Sequence, residues 1–405
     1  MISINHIVGL IAIFLSLFSW VGFGILDLDS QPWGYLAFLV FVFLCGGRLV
    51  VPEIIKLAFI VLMVAIFFAI IKTGEPERLF LLARSIFNYT GFFLIFLGFY
   101  NFLLRYGFPK NLIKLSVLLW ILGGVVELFY PEFLNFFAPR RTSETRGVTS
   151  FAPEPTFFAI YLFFISWLLI SYYRYRYESC KFFLLINFFG VIFLAKSAMG
   201  VLYIAIALAF VFIYNVCFFK FKKGTVFFSS ILAVILVPLG TFFVEKLEAT
   251  RMVSLVSRII SEQNPLNIFY LDASMNLRLE HIVFSLHGLV HNIFLPGGFD
   301  SFGDVRHELV GYYGGFFWYG ESSNIIMSWV GDWFYQLGIF GVAIIVLIFY
   351  GAYDHSKRSF FELALLFLIL LSAVPIALPI VPMLFASLYA LKTKKSVKAV
   401  LSAGL

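Results

Sequence analysis

The sequence predicts an all-α polytopic membrane protein with about 12 transmembrane helices and two large extracytoplasmic loops, the larger containing amphipathic helices. Of the 405 residues, 62% are hydrophobic and only 13% are charged. Apolar runs of about 20 residues, which is the length that crosses a bilayer core, recur along the chain. This composition excludes an ordinary soluble protein, and one long polar stretch, 245–322, interrupts the apolar runs.

Twelve runs are predicted to span the membrane, and the last two form a short hairpin rich in proline. In chain order they are 7–26, 33–47, 54–71, 79–104, 112–130, 154–172, 181–195, 199–218, 225–244, 323–351, 360–375 and 378–391. No internal repeat or low-complexity linker divides them, so residues 1–405 are predicted to form a single membrane-embedded domain. The two long connections are 131–153 and 245–322.

The distribution of basic residues orients these spans. With the N-terminus in the cytoplasm, 17 of the 29 lysines and arginines fall in the cytoplasmic loops, together with only three acidic residues. Cytoplasmic loops of membrane proteins carry such an excess of lysine and arginine. Both termini are therefore predicted to be cytoplasmic, and both long connections become external loops. The net charge of +7 is a signal of topology, so no nucleic-acid partner is expected.

The charged residues inside the apolar spans include Arg84, Glu127, Asp332 and Glu362. Charged groups are costly in a membrane and are usually paired or functional. The first three lie toward the outer ends of their predicted helices. They either extend to the interface or face a cavity that opens outward beneath the two large loops.

The first external loop contains Arg140, Arg141 and Arg146, three arginines within seven residues, and leads to Glu154 and Pro155. The guanidinium group presents a planar fork of donors that matches phosphate oxygens. Glu154 begins a predicted helix, where the helix dipole favours an anion. The alternative is a solvated loop followed by an acidic helix start.

Within the second external loop, residues 276–292 have the periodicity of a helix that Asp272 or Ser274 can cap. One stripe of this helix is polar, and the rest is apolar, which is typical of a helix at the membrane surface. The stripe contains Arg278, His281, Ser285 and either His291 or Asn292. Either the polar stripe takes part in the chemistry of a site, or the helix is an interfacial amphipathic helix without a chemical role. The histidines lack the spacing of a metal site, so a metal-independent protein without cofactor is expected.

A third feature is the short outer turn 194–200, which contains Lys196 and Ser197. Alone it is a weak signal, because a lysine in a short loop is usually solvated.

Together, several motifs have an order and spacing that resemble one known family. They are Arg146-Gly147 followed by Glu154-Pro155, the turn with Ser197, Arg278 followed by an apolar helix and Pro296-Gly297-Gly298, and the run from Asn324 through Gly331 to Gln336-Leu337-Gly338-Ile339-Phe340-Gly341. Over residues 140–350, approximately, the chain resembles the O-antigen polymerase/ligase family. The resemblance implies a GT-C type membrane glycosyltransferase at the outer face of the bacterial cytoplasmic (inner) membrane, acting on glycans linked to undecaprenyl diphosphate.

Two departures from the family pattern bear on function. The ligase branch usually carries a His-Asn pair where this chain has Ser323-Asn324, which favours a polymerase over a ligase that transfers glycan to the lipid A core. Many members have an arginine after the serine of the outer turn, where this chain has Ala198. The second departure leaves the role of that turn open.

The resemblance implies a polymerase for O-antigen, capsule or exopolysaccharide, which moves a glycan from undecaprenyl diphosphate to the non-reducing end of an incoming lipid-linked repeat unit. Arg146 and Arg278 are expected to stabilise the departing diphosphate, helped by Arg140, Arg141 and Lys196. Glu154 is the first candidate for the base, before His281 and His291. Gly147, Ser197 and Asn324 are expected to contact substrate.

The partners implied are the lipid-linked donor and acceptor, membrane lipid, and, as candidates, a chain-length regulator and a flippase. The external aromatic residues of 312–319 either stack on sugar rings or form an interfacial aromatic belt. The competing function class is a polysaccharide flippase or transporter, which twelve spans with both ends inside also suit. The absence of a two-fold repeat and the position of the long loop after the ninth span disfavour a transporter.

Overall fold

The computed structural model describes residues 3–22, 30–73, 79–138, 140–141, 147–218, 268–318 and 324–402. Within these ranges the regular structure is entirely helical. The α-helices are α1 (Ile4–Leu17), α2 (Trp33–Cys45), α3 (Glu53–Thr73), α4 (Leu79–Tyr106), α5 (Lys110–Phe129), α6 (Pro155–Arg176), α7 (Lys181–Phe189), α8 (Ala198–Phe218), α9 (Ile268–Leu271), α10 (Ala273–His291), α11 (Phe302–Tyr312), α12 (Trp329–Ala352), α13 (Lys357–Leu370) and α14 (Ile380–Ser402). A π-helix, Gly190–Ala195, continues α7.

Six of these helices are long and apolar enough to cross a membrane, namely α3, α4, α5, α6, α8 and α12. Shorter apolar helices cover Ile4–Leu17, Trp33–Arg48 and Lys181–Ala195. Each predicted span within the described residues overlaps a helix, but the last two overlap α13 and α14, which are not among the candidate membrane helices. The predicted span 225–244 and the first part of the large loop, up to residue 267, lie outside the described residues. The helices indicate a membrane-embedded protein, as the composition predicts.

The first helix is shorter than predicted, because it ends at Leu17 and not near residue 26. The indole nitrogen of Trp120 donates a hydrogen bond to the Leu17 carbonyl at 3.1 Å. Beyond the helix, the Gly22 amide donates to the Phe137 carbonyl at 2.9 Å. The chain after Leu17 therefore leaves the helix to pack against the first predicted external loop.

Basic residues of the predicted cytoplasmic loops meet at one end of the helical bundle. Lys110 pairs with Glu178 at 2.8 Å, and Arg174 pairs with Glu362 at 2.6 Å. Lys394 donates to the Tyr175 carbonyl at 2.7 Å. Described residues of the larger predicted external loop contact the other end of α3, where the Phe299 amide donates to the hydroxyl of Thr73 at 2.9 Å. The same loop also reaches the middle of α12. The side of the membrane that each end faces stays a prediction from charge.

The helix predicted at 276–292 is α10, and its Asp272 cap is confirmed, since the side chain accepts a hydrogen bond from the Met275 amide at 2.9 Å. This helix packs along α12 through glycines. A Cβ on Gly288 would lie 2.7 Å from the Tyr335 ring, and one on Gly331 would lie 2.7 Å from Ser285 Oγ. Large side chains at these two positions would push the helices apart.

Helix α12 is kinked at Gly338, which has a φ of 60°. The loop after α10 fits into this kink. The Ile339 amide donates to the Phe294 carbonyl at 2.8 Å, and the Gly297 amide donates to the Tyr335 carbonyl at 2.9 Å. The motif at 296–298 and the motif at 336–341, which are separate in the sequence, are therefore in direct contact.

We expect Gly338→Ala to lower the free energy of unfolding by about 2 kcal/mol or more. The positive φ costs an alanine of the order of 1 kcal/mol, and its Cβ would lie 2.5 Å from the carbonyl carbon of Leu295. Gly46→Ala is a matched control, because Gly46 has a φ of 53° but nothing within 4 Å of its Cβ position. Thermal unfolding in detergent measures both. Equal losses in the two variants would mean that the contact at the kink contributes nothing.

Candidate functional site

A cavity of about 270 Å³ lies at the end of the bundle opposite the basic loops, between α4, α6, α12 and the segment that follows α13. Its ionisable lining residues are Arg84, Arg141, Glu154, Asp300 and Asp332. The amide side chains of Asn88, Asn324 and Gln336 also line it. Three of the predicted site residues, Arg141, Glu154 and Asn324, therefore meet in one place.

The start of α6 positions Glu154 beside Arg141. Glu154 is the N-cap residue in extended conformation, and Pro155 occupies the first helical position, which suits proline because its missing N–H has no partner there. The Arg141 amide donates to the Pro153 carbonyl at 2.9 Å, which fixes the first external loop across the helix start. The N-terminus of a helix carries partial positive charge from the aligned peptide dipoles.

One wall of the cavity is a hydrogen-bonded network between α4 and α12. The Tyr89 hydroxyl lies 3.0 Å from the Asp332 carbonyl and 3.1 Å from Gln336 Oε1. Gln336 Nε2 in turn donates to Asp332 Oδ1 at 3.1 Å. Asp332 is 4% exposed, so this network holds a carboxylate at the cavity wall. Arg84 and Asp332 both line this cavity, which agrees with the second of the two alternatives for these residues; its outward opening stays a prediction.

Glu127 lies outside this cavity, although the sequence places it beside Arg84 and Asp332. Its carboxylate accepts hydrogen bonds from the Thr149 amide at 2.8 Å and the Ser150 amide at 2.5 Å. Arg140, a predicted diphosphate ligand, has its Nε 3.7 Å from Glu127 Oε1. Both residues therefore anchor the end of the first external loop to α5.

Gly147 and the outer turn, predicted separately, are in contact. A Cβ on Gly147 would lie 2.0 Å from the Ala195 carbonyl oxygen, and the Val148 amide donates to the Leu194 carbonyl at 3.0 Å. Lys196 is exposed. Ser197 precedes α8, and its Oγ lies 3.5 Å from the Gly200 amide. Gly147, Lys196 and Ser197 do not line the cavity.

The predicted residues of α10 lie in three different environments. His291 is exposed at the end of the helix, and Arg278 is partly buried. His281 is 2% exposed, and its ring stacks on Phe302 with 5.6 Å between centroids. None of the three lines the cavity. Arg146, the remaining predicted ligand of the diphosphate, lies outside the described residues, as does Ser323.

Burial, together with the charges of Arg306 and Arg278, lowers the pKa of His281 to about 3. The ordinary value is 6.5, so the unfolded chain takes up the proton first when the pH falls. His281 therefore has its full stabilising effect above pH 6.5 and loses it progressively toward pH 3.

We expect the wild-type protein to lose roughly 2 kcal/mol of folding free energy between pH 7 and pH 5 through this histidine alone. His281→Gln removes the titrating ring, so its stability should fall less over the same interval. Thermal unfolding of both proteins at pH 7, 6 and 5 measures the difference. Parallel curves would show that His281 does not titrate on unfolding.

The sequence gives no sign of the buried ion pair that holds α11 to α10. Arg306 Nε donates to Glu280 Oε1, and both side chains are 2% exposed or less. Gly303, one turn before Arg306, donates its amide to Asn324 Oδ1 at 2.6 Å. The pair thereby fixes the position of a side chain in the cavity. The two partners are 26 residues apart, so no local pattern reveals them.

The arrangement combines guanidinium groups with a carboxylate at a helix N-terminus. Such a site can bind an anionic group through the arginines and accept a proton at the carboxylate. Within the part of the chain that the structure describes, no group of three or more His, Cys, Asp or Glu side chains could hold a metal ion. Comparisons with protein-family models, with curated proteins and with solved structures find no match for this chain.

Proposed function

We propose that this protein is a polysaccharide polymerase of the bacterial cytoplasmic membrane. It transfers a glycan from undecaprenyl diphosphate to the non-reducing end of an incoming lipid-linked repeat unit. The observation that carries the proposal is the cavity that brings Arg84 and Arg141 together with Glu154. The proposal also includes twelve membrane spans, cytoplasmic termini and a cavity that faces the periplasm.

The departing diphosphate gains negative charge when its oxygen separates from the anomeric carbon. In the proposed reaction, Arg84 and Arg141 balance this charge from fixed positions, which lowers the barrier by several kcal/mol. They take the role that the sequence assigns to Arg278, because Arg278 does not line the cavity. The role expected of Arg146, which lies outside the described residues, stays a prediction. Arginine suits this role, since its fork of donors matches phosphate oxygens.

The acceptor hydroxyl must lose a proton as its oxygen attacks the anomeric carbon. Glu154 accepts this proton in the proposed reaction, because its carboxylate lines the same cavity as the two arginines. With its pKa lowered to about 3, His281 is neutral near pH 7, but it is buried and does not line the cavity. A single displacement of this kind inverts the anomeric configuration.

The cavity also has apolar walls that suit a lipid-linked sugar. Trp20 and Phe157 line it, and their rings lie 5.8 Å apart. Leu81 and Ile325 complete an apolar side. Aromatic faces provide stacking surfaces for sugar rings, and the aliphatic side suits the start of a polyprenyl chain. This mixture supports a substrate that is part carbohydrate and part lipid.

The test is complementation of a polymerase-null host, scored as a glycan ladder on a gel. Wild type should restore the ladder, and purified protein should lengthen lipid-linked repeats in detergent without other proteins. If single repeats reach the cell surface in the null host and wild type gives no ladder, the proposal is wrong. If the host traps glycan inside until wild type is supplied, the protein is a transporter.

A further inference from the structure

A second cavity, of about 680 Å³, lies between α6, α7, α8 and α13. It shares no lining residue with the first cavity. Its walls are mostly aliphatic and aromatic side chains, such as Leu162, Leu184, Leu208 and Leu365. The volume lies within the range of small-molecule sites. No step of the proposed reaction uses this cavity.

The chemistry of the walls favours hydrocarbon over water. A buried water requires two to four polar partners, whereas several polar groups at these walls already bond to the protein; Asn187 Oδ1, buried without a hydrogen-bond partner, is an exception. Asn187 donates to Ser166 Oγ at 2.8 Å. Glu362 accepts from Arg174 at 2.6 Å and from Trp167 at 3.0 Å. Apolar walls without a filling group would lose their dispersion contacts on one side.

The cavity has the length of one leaflet. Its lining residues on α8 extend from Ile204 to Asn215, a rise of roughly 16 Å at 1.5 Å per residue. The hydrocarbon core of a bilayer is about 30 Å thick, so one leaflet contributes about half of that. The cavity also borders a helix with little packing of its own, because only 6% of the apolar window of α8 is buried.

Positive charge lies at one end of the cavity. Arg358 lines it and is exposed, and the neighbouring Lys357 is exposed as well. This is the end of the bundle where the basic loops meet. A phosphate group pairs well with a guanidinium, so the charge suits a phospholipid whose chain enters along α8.

We infer that this cavity binds one acyl chain of a phospholipid from the leaflet at the basic end of the bundle, with the phosphate at Arg358. The bound lipid completes the packing of α8 against α6 and α13. This site is independent of the proposed polymerase activity, and its occupancy can be measured without any substrate.

Two variants on opposite faces of α8 test the inference. Ala207 lines the cavity, whereas Ala205 is exposed and does not line it. Ala207→Trp fills the cavity, and Ala205→Trp is the matched control. Native mass spectrometry with added dioleoyl phosphatidylglycerol should show one retained lipid on wild type and on the control. We expect the lipid occupancy of Ala207→Trp to fall by about tenfold, or 1.4 kcal/mol.

A charge variant provides a second test that leaves the helix packing intact. Arg358→Glu should weaken retention of the same lipid by about tenfold. Lys181→Glu, at an exposed lysine that does not line the cavity, should not. Equal lipid retention by Ala207→Trp and Ala205→Trp would overturn the inference. An electron-microscopy map with a helix of this chain in the cavity would overturn it too.

Discussion

Replacing Glu154 with glutamine is expected to slow glycan polymerisation by about 10²–10⁴-fold, because the proposed reaction then lacks the base for the acceptor hydroxyl. Glutamine has the size of glutamate, and the Glu154 side chain makes no capping hydrogen bond. The variant should therefore fold as wild type does. The measurement is turnover of lipid-linked repeats by purified protein, with the thermal midpoint of unfolding recorded beside it.

Glu132 offers the control for this experiment. It is an exposed glutamate of the first external loop that does not line the cavity, so Glu132→Gln should retain full turnover. If Glu154→Gln is as active as wild type at equal protein concentration, Glu154 is not the base. The next residues to substitute would then be Asp300 and Asp332, the other acidic side chains of the cavity.

The second large effect is expected at the buried ion pair. Arg306→Met should lower the free energy of unfolding by about 3–5 kcal/mol, because it leaves the Glu280 carboxylate buried without its cation. Both side chains are 2% exposed or less, so water cannot replace the lost partner. Thermal and denaturant unfolding in detergent measure the loss. The double variant Glu280→Met/Arg306→Met should recover much of it.

The pair formed by Lys110 and Glu178 is the matched control. Its side chains are 41% and 47% exposed, and exposed pairs contribute only about 0–1 kcal/mol. Lys110→Met should therefore change stability little. If Lys110→Met and Arg306→Met lower stability equally, or the double variant is no more stable than Arg306→Met, the ion pair does not hold α11 in place.

Local patterns predicted the features that depend on neighbours in the chain. The cap at Asp272 and the helix start at Glu154 and Pro155 follow from residue preferences within one turn. The cost of charge in a membrane marks Arg84 and Asp332 as paired or functional residues, and a cavity was one of the two positions it allows for them. These arguments need no knowledge of which helices meet.

Features that depend on distant contacts were missed. The end of α1 is set by Trp120, 103 residues away. Arg140 and Glu127 pair across the first external loop, so an arginine that the sequence assigns to a phosphate has a partner in the protein. Arg278 lies outside the cavity although its motif resembles a family signature. Composition and spacing carry no information on which of several arginines shares a cavity with Glu154.

The broken helix at Gly338 has a consequence for assembly. The carbonyl of Tyr335 and the amide of Ile339 bond to the loop 294–297 rather than to each other. In lipid, each of these backbone groups left unpaired would cost several kcal/mol. Since the loop precedes α12 in the chain, it is synthesised first. Insertion of α12 is therefore favourable only once the loop lies beside it, so this loop must reach its final position before the bundle is complete.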